Sequence, residues 1–178
     1  MTPTLLVSAS IRPAHAPRRV NPTISFKRYF RIMMTSDQIE LVQESFAHVL
    51  PSAAGAAHAF YERLFTLAPE TRAMFRGDID DQGRKLFITL AAVVDALDQL
   101  DRVVPVARAL AIRHVGYGVE ERHYAIVGAA LIETLREALG ARFDSATEAA
   151  WASAYAILSG VMMMAAKEAA SIKQGVTA

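Results

Sequence analysis

The stretch RHVGYGVEERHYAIVGAALIETL, residues 113–135, decides the fold class because two helical patterns meet in it at a glycine-containing turn. The first pattern ends at His114, and Gly116 and Gly118 interrupt it. The second pattern repeats apolar residues at steps of three or four, which is the spacing of one face of an α-helix. This apolar stripe comprises Tyr124, Val127, Leu131, Leu135 and Leu139. We therefore expect two helices joined by a short turn, with a histidine at the end of the first helix.

The same helical spacing recurs along the rest of the chain, and no segment shows the alternation of a β-strand. Thr35 and Gln38 have the spacing of a capping box, in which each residue hydrogen-bonds the other's backbone at a helix start. Asp144 or Ser145 is placed to begin the last helix. Further helices are predicted over about 53–67, 69–75, 81–97 and 101–114. The chain has the length of one domain, so we predict an all-α fold of about seven helices.

Residues 1–33 differ from the rest in charge, with six basic residues and no acidic one. We expect this basic N-terminal extension to be disordered, or to precede the true start at Met33 or Met34. A targeting segment and a basic arm are the alternatives. Residues 34–178 form the expected domain and carry 13 basic and 18 acidic residues. That acidic excess argues against nucleic-acid binding, whose affinity depends on neutralising phosphates.

Composition also bears on redox chemistry and on membranes. The chain has no cysteine, which excludes disulfides, thiolate metal sites and cysteine nucleophiles. Residues 149–166 carry no charge, and this length is about the minimum for a membrane span. The run is rich in alanine, and its large apolar residues recur at helical spacing, as in a buried helix of a soluble protein. We therefore expect no membrane span and a cytoplasmic location.

His114 is the residue in the opening stretch that could bind a metal. The carbonyl of Leu110, one helical turn earlier, could accept one ring N–H and leave the other ring nitrogen free for a metal ion. A core histidine with its hydrogen bonds satisfied is the alternative reading of the same pattern. His123 belongs to the next helix, beside Glu120 and Glu121, and we expect it on the polar surface. The two histidines are therefore not predicted to share a metal.

Four segments of the chain together resemble the globin family. They are FYERLFTLAPETRAMF (60–75), DIDDQGRKL (78–86), the opening stretch (113–135) and AWASAYAIL (150–158), and they follow the family's order and spacing. Residues 35–170 are most similar to bacterial single-domain globins, akin to neuroglobin and to the globin domain of flavohaemoglobins. The resemblance implies a globin fold around a haem pocket, with haem b (iron protoporphyrin IX) as the cofactor.

The resemblance also implies roles for individual side chains. His114 would be the proximal ligand of the haem iron, and Tyr61 and Gln82 would stabilise a gas ligand on the opposite, distal side. Lys85 or Arg113 would reach a haem propionate, although an exposed surface position is an equal alternative for these two. The other residues of the implied haem pocket are Phe75, Leu86, Leu110, Val119, Tyr124 and Val127.

The function that the resemblance implies is reversible binding of O2, and of NO and CO, at a pentacoordinate iron. Two hydrogen-bond donors in a dry pocket predict high O2 affinity. One alternative is an NO dioxygenase that takes electrons from an external reductase. A haem-based gas sensor and a haem-free helical interaction domain are further alternatives, because fold alone does not determine function.

One position departs from the flavohaemoglobin pattern. Those globins carry a glutamate on the last helix that joins the proximal histidine's hydrogen-bond network, together with a tyrosine that matches Tyr124. Here Ala166 stands at that position, and the nearest acid, Glu168, is expected to face elsewhere. The departure predicts weaker peroxidase-like or dioxygenase activity.

Overall fold

The computed structural model describes residues 34–75 and 77–175, without the side chains of residues 100, 101 and 172–175. The predicted N-terminal extension, residues 1–33, lies outside the described residues. Within the described part there are α-helices and 3-10 helices and no strand, which confirms the all-α prediction. The six α-helices are α1 (Ser36–Val49), α2 (Ala53–Leu67), α3 (Ile79–Asp95), α4 (Leu100–Gly116), α5 (Glu121–Leu139) and α6 (Ser145–Gly175), and the 3-10 helices are Leu50–Ser52, Pro69–Met74 and Gly140–Arg142.

Side-chain caps explain where several helices begin. The Thr35 hydroxyl accepts a hydrogen bond from the Gln38 backbone N–H at 3.2 Å, and the Gln38 side chain accepts one from the Thr35 N–H at 3.0 Å. This confirms the predicted capping box at the start of α1. Before α6, the Asp144 carboxylate accepts a hydrogen bond from the Thr147 N–H at 2.8 Å. The hydrogen bonds from Thr147 lower the pKa of Asp144, because they stabilise the charged form of the carboxyl.

The element predicted over residues 69–75 is a short 3-10 helix, Pro69–Met74, and not an α-helix. Six residues give an α-helix few internal hydrogen bonds, and tighter 3-10 turns are common in connectors of this length. The seven predicted helical segments are therefore six α-helices and this 3-10 helix.

The main hydrophobic core lies between α1, α2, α3, α5 and α6. In it the Trp151 ring N–H of α6 donates a buried hydrogen bond of 2.9 Å to the Ser45 hydroxyl of α1. The ring centroid of Phe46 lies 6.1 Å from that of Trp151 and 6.0 Å from that of Phe87 on α3. These contacts fix α1 against α3 and α6, and burial of the aromatic rings contributes much of the free energy that holds them together.

Helices α2 and α3 cross closely at Ala57 and Gly83. A Cβ atom at Gly83 would lie 2.8 Å from the Cβ of Ala57, so only glycine allows this approach without a shift of the helices. Tyr61 lies one helical turn after Ala57, and Gln82 adjoins Gly83 in sequence. The crossing therefore brings the segments that carry these two predicted distal residues near each other.

Of its described residues, helix α4 contributes only Val103, near its start, to the main core. Among the described residues it packs closely against α6 alone, and its contacts with α2 and α3 are slight at most. A second, smaller hydrophobic cluster joins α4 to α6 and to the start of α5. Its buried members are Ala107, Ala111, Tyr124, Val161, Met162 and Ala165.

Within α6, residues Ser145–Ser171 are long and apolar enough, by length and composition alone, to cross a membrane. In this structure α6 packs against α1, α4 and α5, and Trp151, Met162 and Ala165 on it are buried. This is the arrangement of a central helix in a globular domain, as the helical spacing of its apolar residues predicts.

Candidate functional site

His114 lies near the end of α4 and is partly buried. Its Nδ1 atom is 2.8 Å from the carbonyl oxygen of Leu110, one helical turn earlier. A carbonyl oxygen can only accept a hydrogen bond, so Nδ1 carries the proton and donates it. The predicted contact between these two residues is confirmed. In the neutral ring, Nε2 is then left without a proton and is free to bind an electrophile.

The surroundings of His114 favour its neutral form. Burial lowers the pKa of the imidazole below its usual value, and this effect outweighs the hydrogen bond to Leu110, which acts in the opposite direction. The positive charge of Arg113 lowers the pKa further. Because a metal binds the neutral imidazole, His114 is ready to act as a ligand at neutral pH.

A tight turn between α4 and α5 holds the end of α4 in place. The backbone N–H groups of Tyr117 and Val119 donate to the carbonyl oxygen of His114 at 3.0 and 3.1 Å. Gly118 has a φ of +81°, in the left-handed region that favours glycine. As the sequence predicts, glycine ends α4, and Val119 then packs against the smaller cluster.

Tyr61 and Phe75 form the centre of an aromatic group on the other side of the fold. Their ring centroids are 5.2 Å apart in an edge-to-face arrangement, and Phe60 and Phe65 flank Tyr61 at 5.1 and 5.8 Å. The guanidinium of Arg72 lies 4.7 Å from the centroid of the Phe65 ring. These contacts hold the Tyr61 ring of α2 in position. They also pack Phe75, which follows the 3-10 helix Pro69–Met74, against α2.

The Tyr61 hydroxyl is available as a hydrogen-bond donor. Burial raises the pKa of Tyr61 to about 12, so the hydroxyl keeps its proton at neutral pH. No hydrogen bond joins this hydroxyl to another residue in the part of the chain that the structure describes. The Tyr61 side chain as a whole is buried, and a ligand lying against its hydroxyl could accept a hydrogen bond from it.

On α3, Gln82 and Leu86 lie one helical turn apart and are both partly buried. Leu86 packs against the main core, which also includes Phe75 and Val127. Lys85 and Arg113, the two candidates for a propionate contact, both have exposed side chains.

The predicted site residues fall into two groups. Tyr61, Phe75, Leu86 and Val127 belong to the main core, whereas Leu110, Val119 and Tyr124 belong to the smaller cluster on the side of His114. Leu158 of α6 contacts both groups. Val119 and Tyr124, expected on the His114 side of a flat cofactor, thus lie apart from Tyr61, whereas Val127, which the resemblance implies for the same side as Val119 and Tyr124, packs against the main core.

Tyr155 is a residue of this region that sequence reasoning did not assign to the site. Its hydroxyl donates a hydrogen bond to the backbone carbonyl of Tyr124 and so fixes the start of α5 against α6. Its ring occupies the space beside Gly128, where a Cβ atom would lie 2.5 Å from the Tyr155 Cε1 atom. A glycine inside an otherwise regular helix is the sequence signal that could have indicated this close approach.

The prediction that His123 is a surface residue is wrong. Its side chain is buried, with 2 % relative exposure. Its Nδ1 accepts a hydrogen bond of 2.9 Å from the Glu120 backbone N–H, in a capping box at the start of α5. The ring folds back over the helix end, because that backbone N–H needs an acceptor, and this brings the ring inside. The buried Nε2 has no hydrogen-bond partner among the described residues.

Glu168, near the end of α6, was expected to face away from the His114 side of the fold. This residue pairs with Arg108 of α4 at the surface, so it faces away from the smaller cluster, as predicted. The buried α6 side chains of that cluster, which also contains Tyr124, are Val161, Met162 and Ala165. On the His114 side of the fold, α6 therefore presents apolar side chains to the smaller cluster.

Comparison with known proteins agrees with this architecture. Residues 58–162 match the family model described as Globin. The chain is 29 % identical over 134 residues to a flavohemoprotein of Vibrio cholerae, covering 74 % of this chain and 34 % of that protein. It is 31 % identical over 134 residues to a flavohemoprotein of Bordetella bronchiseptica, covering 73 % and 33 %. The chain thus spans about a third of the length of these relatives.

A solved structure, that of a bacterial globin from Campylobacter jejuni, superposes with a TM-score of 0.69 and 25 % sequence identity. The superposition covers 77 % of this chain and 99 % of that one. The helices described above therefore have the arrangement of a known bacterial protein over nearly its whole length.

Proposed function

This chain belongs to the globin family, and on that premise we propose that it holds haem b through His114 and binds O2 reversibly, with NO and CO as further ligands. The observation that carries the proposal is the hydrogen bond of 2.8 Å from His114 Nδ1 to the Leu110 carbonyl. It assigns the proton to Nδ1 and frees Nε2, which is how histidines that bind metals are usually held.

The shape of the fold supports a flat cofactor at this place. Helix α4 packs closely against α6 and at most slightly against α2 and α3, in the part of the chain that the structure describes. A haem brings four nitrogen ligands with it, so one histidine suffices to attach its iron. We assign iron ligation to His114 and contacts with the haem to Phe75, Leu86, Leu110, Val119, Tyr124 and Val127. The exposed side chains of Lys85 and Arg113 are free to reach the propionates.

When bound, the haem would supply an iron at which a diatomic gas can bind and from which it can leave. In the proposal the chain's own residues set how firmly the gas is held. The hydroxyl of the buried Tyr61 side chain, which keeps its proton, would donate a hydrogen bond to the ligand, and the Gln82 amide would donate a second. Such bonds are stronger in a buried site than in water. They favour O2, which accepts hydrogen bonds better than CO does, so a high O2 affinity is expected.

Gln82 also bears on how many protein ligands the iron has. An amide is a much weaker ligand for iron than an imidazole, so the proposal has one protein ligand, His114, and a pentacoordinate reduced iron. The second histidine of the region, His123, is engaged through Nδ1 in the cap of α5.

The second candidate function is oxidation of NO to nitrate with electrons from an external reductase. The specific observation in its favour is the similarity to flavohemoproteins over 134 residues. The apolar side chains Met162 and Ala165 beside Tyr124, with Ala166 next in sequence, argue for weaker activity of this kind. Sustained NO consumption on addition of a reductase supports the enzymatic function. Consumption that stops after one equivalent of NO supports O2 binding alone.

Absorption spectra of the oxidised, reduced and CO-bound protein test the main proposal. The purified chain is expected to retain haem and to show a Soret band that shifts when CO is added to the reduced form. His114→Ala should lose most of its haem, whereas His48→Ala, which removes an exposed histidine of α1, should bind haem like the wild type. A wild-type chain that does not retain haem would support the haem-free interaction domain instead.

A further inference from the structure

His123 carries a buried hydrogen-bond donor that meets no acceptor in the described part of the chain. Its side chain is 2 % exposed, and its Nδ1 accepts the Glu120 backbone N–H at 2.9 Å. Because a backbone N–H can only donate, Nδ1 has no proton, and the neutral imidazole carries its proton on Nε2. That nitrogen is the one fully buried side-chain polar atom without a hydrogen-bond partner among the described residues.

A donor in this position requires an acceptor. An unpaired buried N–H is costly, and native proteins nearly always give such a group a partner. The two ring nitrogens face different directions, so the Nε2–H of His123 points away from the cap that Nδ1 forms at the start of α5. The acceptor is therefore not part of the cap, and an atom of a bound group can supply it.

The neighbours of His123 are residues that we assign to the haem. Val119 lies four residues before it and Tyr124 directly after it. Val127 is one turn later on the same side of α5, since residues four apart on a helix are neighbours. The unpaired donor thus lies in the middle of a segment whose other members contact the cofactor in the proposed function.

The start of α5 favours a negatively charged acceptor. His123 is the third residue of this helix of 19 residues, and the first turn of a helix carries partial positive charge. The acidic side chains nearby are paired with basic ones: Glu120 Oε2 is 2.9 Å from Arg122 Nε, and Glu121 Oε2 is 3.3 Å from Lys167 Nζ. They therefore do little to repel an anion at the helix start.

The chemistry of haem b narrows the choice of acceptor. Its four ring nitrogens bind the iron, and the methyl and vinyl groups on its edge are apolar. The carboxylates of its two propionates are the hydrogen-bond acceptors that remain. A carboxylate only accepts, and hydrogen bonds to charged groups are stronger than those between neutral groups.

We infer that His123 Nε2 donates a hydrogen bond to one of the two haem propionates at the start of α5. This inference rests on the proposed haem-binding function and adds a polar anchor for the cofactor. Lys85 and Arg113 have exposed side chains and remain the candidates for the other propionate. His123 differs from both because it is buried, so water competes less with its hydrogen bond.

The test combines a change in the protein with a change in the cofactor. The wild type and His123→Leu are each loaded with haem and with haem dimethyl ester, whose esterified propionates carry no charge. The rate at which each cofactor is lost to an excess of apomyoglobin is then measured. The substitution should accelerate the loss of haem about tenfold more than the loss of the dimethyl ester. A role confined to the cap of α5 would accelerate both losses equally.

Two further variants keep the test valid if His123→Leu folds poorly. In His123→Gln the side-chain oxygen can accept the Glu120 N–H, as in a usual capping box, and the amide can still donate to a carboxylate. This variant should lose haem more slowly than His123→Leu. His48→Leu removes an exposed histidine of α1 and should release both cofactors at the wild-type rates.

NMR spectroscopy observes the donor itself. The protein is labelled with ¹⁵N-histidine and studied in the reduced, CO-bound form, which is diamagnetic. The Nε2–H signal of His123, identified by its absence in His123→Gln, should lie further downfield with haem than with the dimethyl ester. The reason is that a carboxylate is a stronger acceptor than an ester.

Other results would contradict the hydrogen bond between His123 and a propionate. Equal acceleration of both losses, or the same Nε2–H frequency with both cofactors, would overturn it, since the donor would then bond another acceptor such as a buried water. A signal that moves only when acetate is added would assign the site to a free carboxylate and also overturn it. These results leave the proposed function intact, whereas a wild-type chain that retains neither cofactor would overturn both.

Discussion

The Nδ1 atom of His114 donates a hydrogen bond of 2.8 Å to the carbonyl oxygen of Leu110, one turn earlier on the same helix. Because the carbonyl cannot donate, this contact determines which ring nitrogen carries the proton in the neutral imidazole. It also orients the ring and makes the other nitrogen a better donor of its lone pair to a metal. Iron ligation by His114 Nε2 depends on this relationship, and burial of the ring favours its neutral form.

Acid is expected to destabilise the haem-free protein through His114. Burial holds the folded-state pKa of His114 below its ordinary value of 6.5. Above 6.5 the ring is neutral in both states, and the stability does not depend on it. Below 6.5 the unfolded chain takes up the proton more readily, so the free energy of unfolding falls with pH until the folded-state pKa is passed.

Urea unfolding at about pH 7.5 and 5.5 measures this effect. His114→Leu should lose less stability between the two pH values than the wild type does. His48→Leu, which removes an exposed histidine, should behave like the wild type. The same pH loss in His114→Leu and the wild type would show that the decline comes from other groups.

Tyr61→Phe should speed the release of O2. The Tyr61 side chain is buried and its hydroxyl keeps its proton, so removal of the hydroxyl should delete a hydrogen bond to the ligand and change the shape of the pocket little. The expected increase in the O2 dissociation rate is about tenfold, which corresponds to about 1.4 kcal/mol. Stopped-flow exchange of O2 for CO measures this rate.

The CO dissociation rate of the same variant is the internal control. CO is less polar and accepts a weaker hydrogen bond, so Tyr61→Phe should change its release much less. If the variant released O2 at the wild-type rate, Tyr61 would not be a hydrogen-bond donor to the bound gas.

Gly128→Ala should destabilise the fold, because its Cβ would lie 2.5 Å from a ring carbon of Tyr155. The ring cannot move easily, since its hydroxyl is bonded to the Tyr124 carbonyl. Overpacking of this kind costs about 1–3 kcal/mol of unfolding free energy. Gly160→Ala on α6 is the matched control, because nothing lies within 4 Å of its Cβ position. This change should stabilise the helix by up to about 1 kcal/mol.

The two substitutions are thus expected to shift the urea midpoint in opposite directions. If Gly128→Ala were as stable as the wild type, the Tyr155 ring would not pack as closely against Gly128 as described above.

Local patterns were sufficient to predict much of the fold. The capping box of Thr35 and Gln38 and the glycines at 118 and 140 predicted helix boundaries, because caps and left-handed residues act within a few positions. The contact between His114 and Leu110 was predictable for the same reason, since residues four apart on a helix are neighbours.

Features that depend on distant parts of the chain were not predicted. The packing of α4 mainly against α6 and the contact of Tyr155 with Gly128 arise from how whole helices pack. His123 was expected at the surface because its sequence neighbours are charged, yet its ring is buried and caps α5. Charged neighbours in sequence do not fix the direction of a side chain at a helix start.

Resonance Raman spectroscopy of the reduced, haem-loaded protein tests the role of His114 most directly. If His114 binds the iron, we expect an iron–histidine stretching band that shifts when the protein is labelled with ¹⁵N-histidine. In labelled His114→Gly the band should disappear, and unlabelled imidazole added to the solution should restore it at the unlabelled frequency. A band that persists in His114→Gly without imidazole, and still shifts with the label, would show that another histidine binds the iron and would contradict ligation by His114.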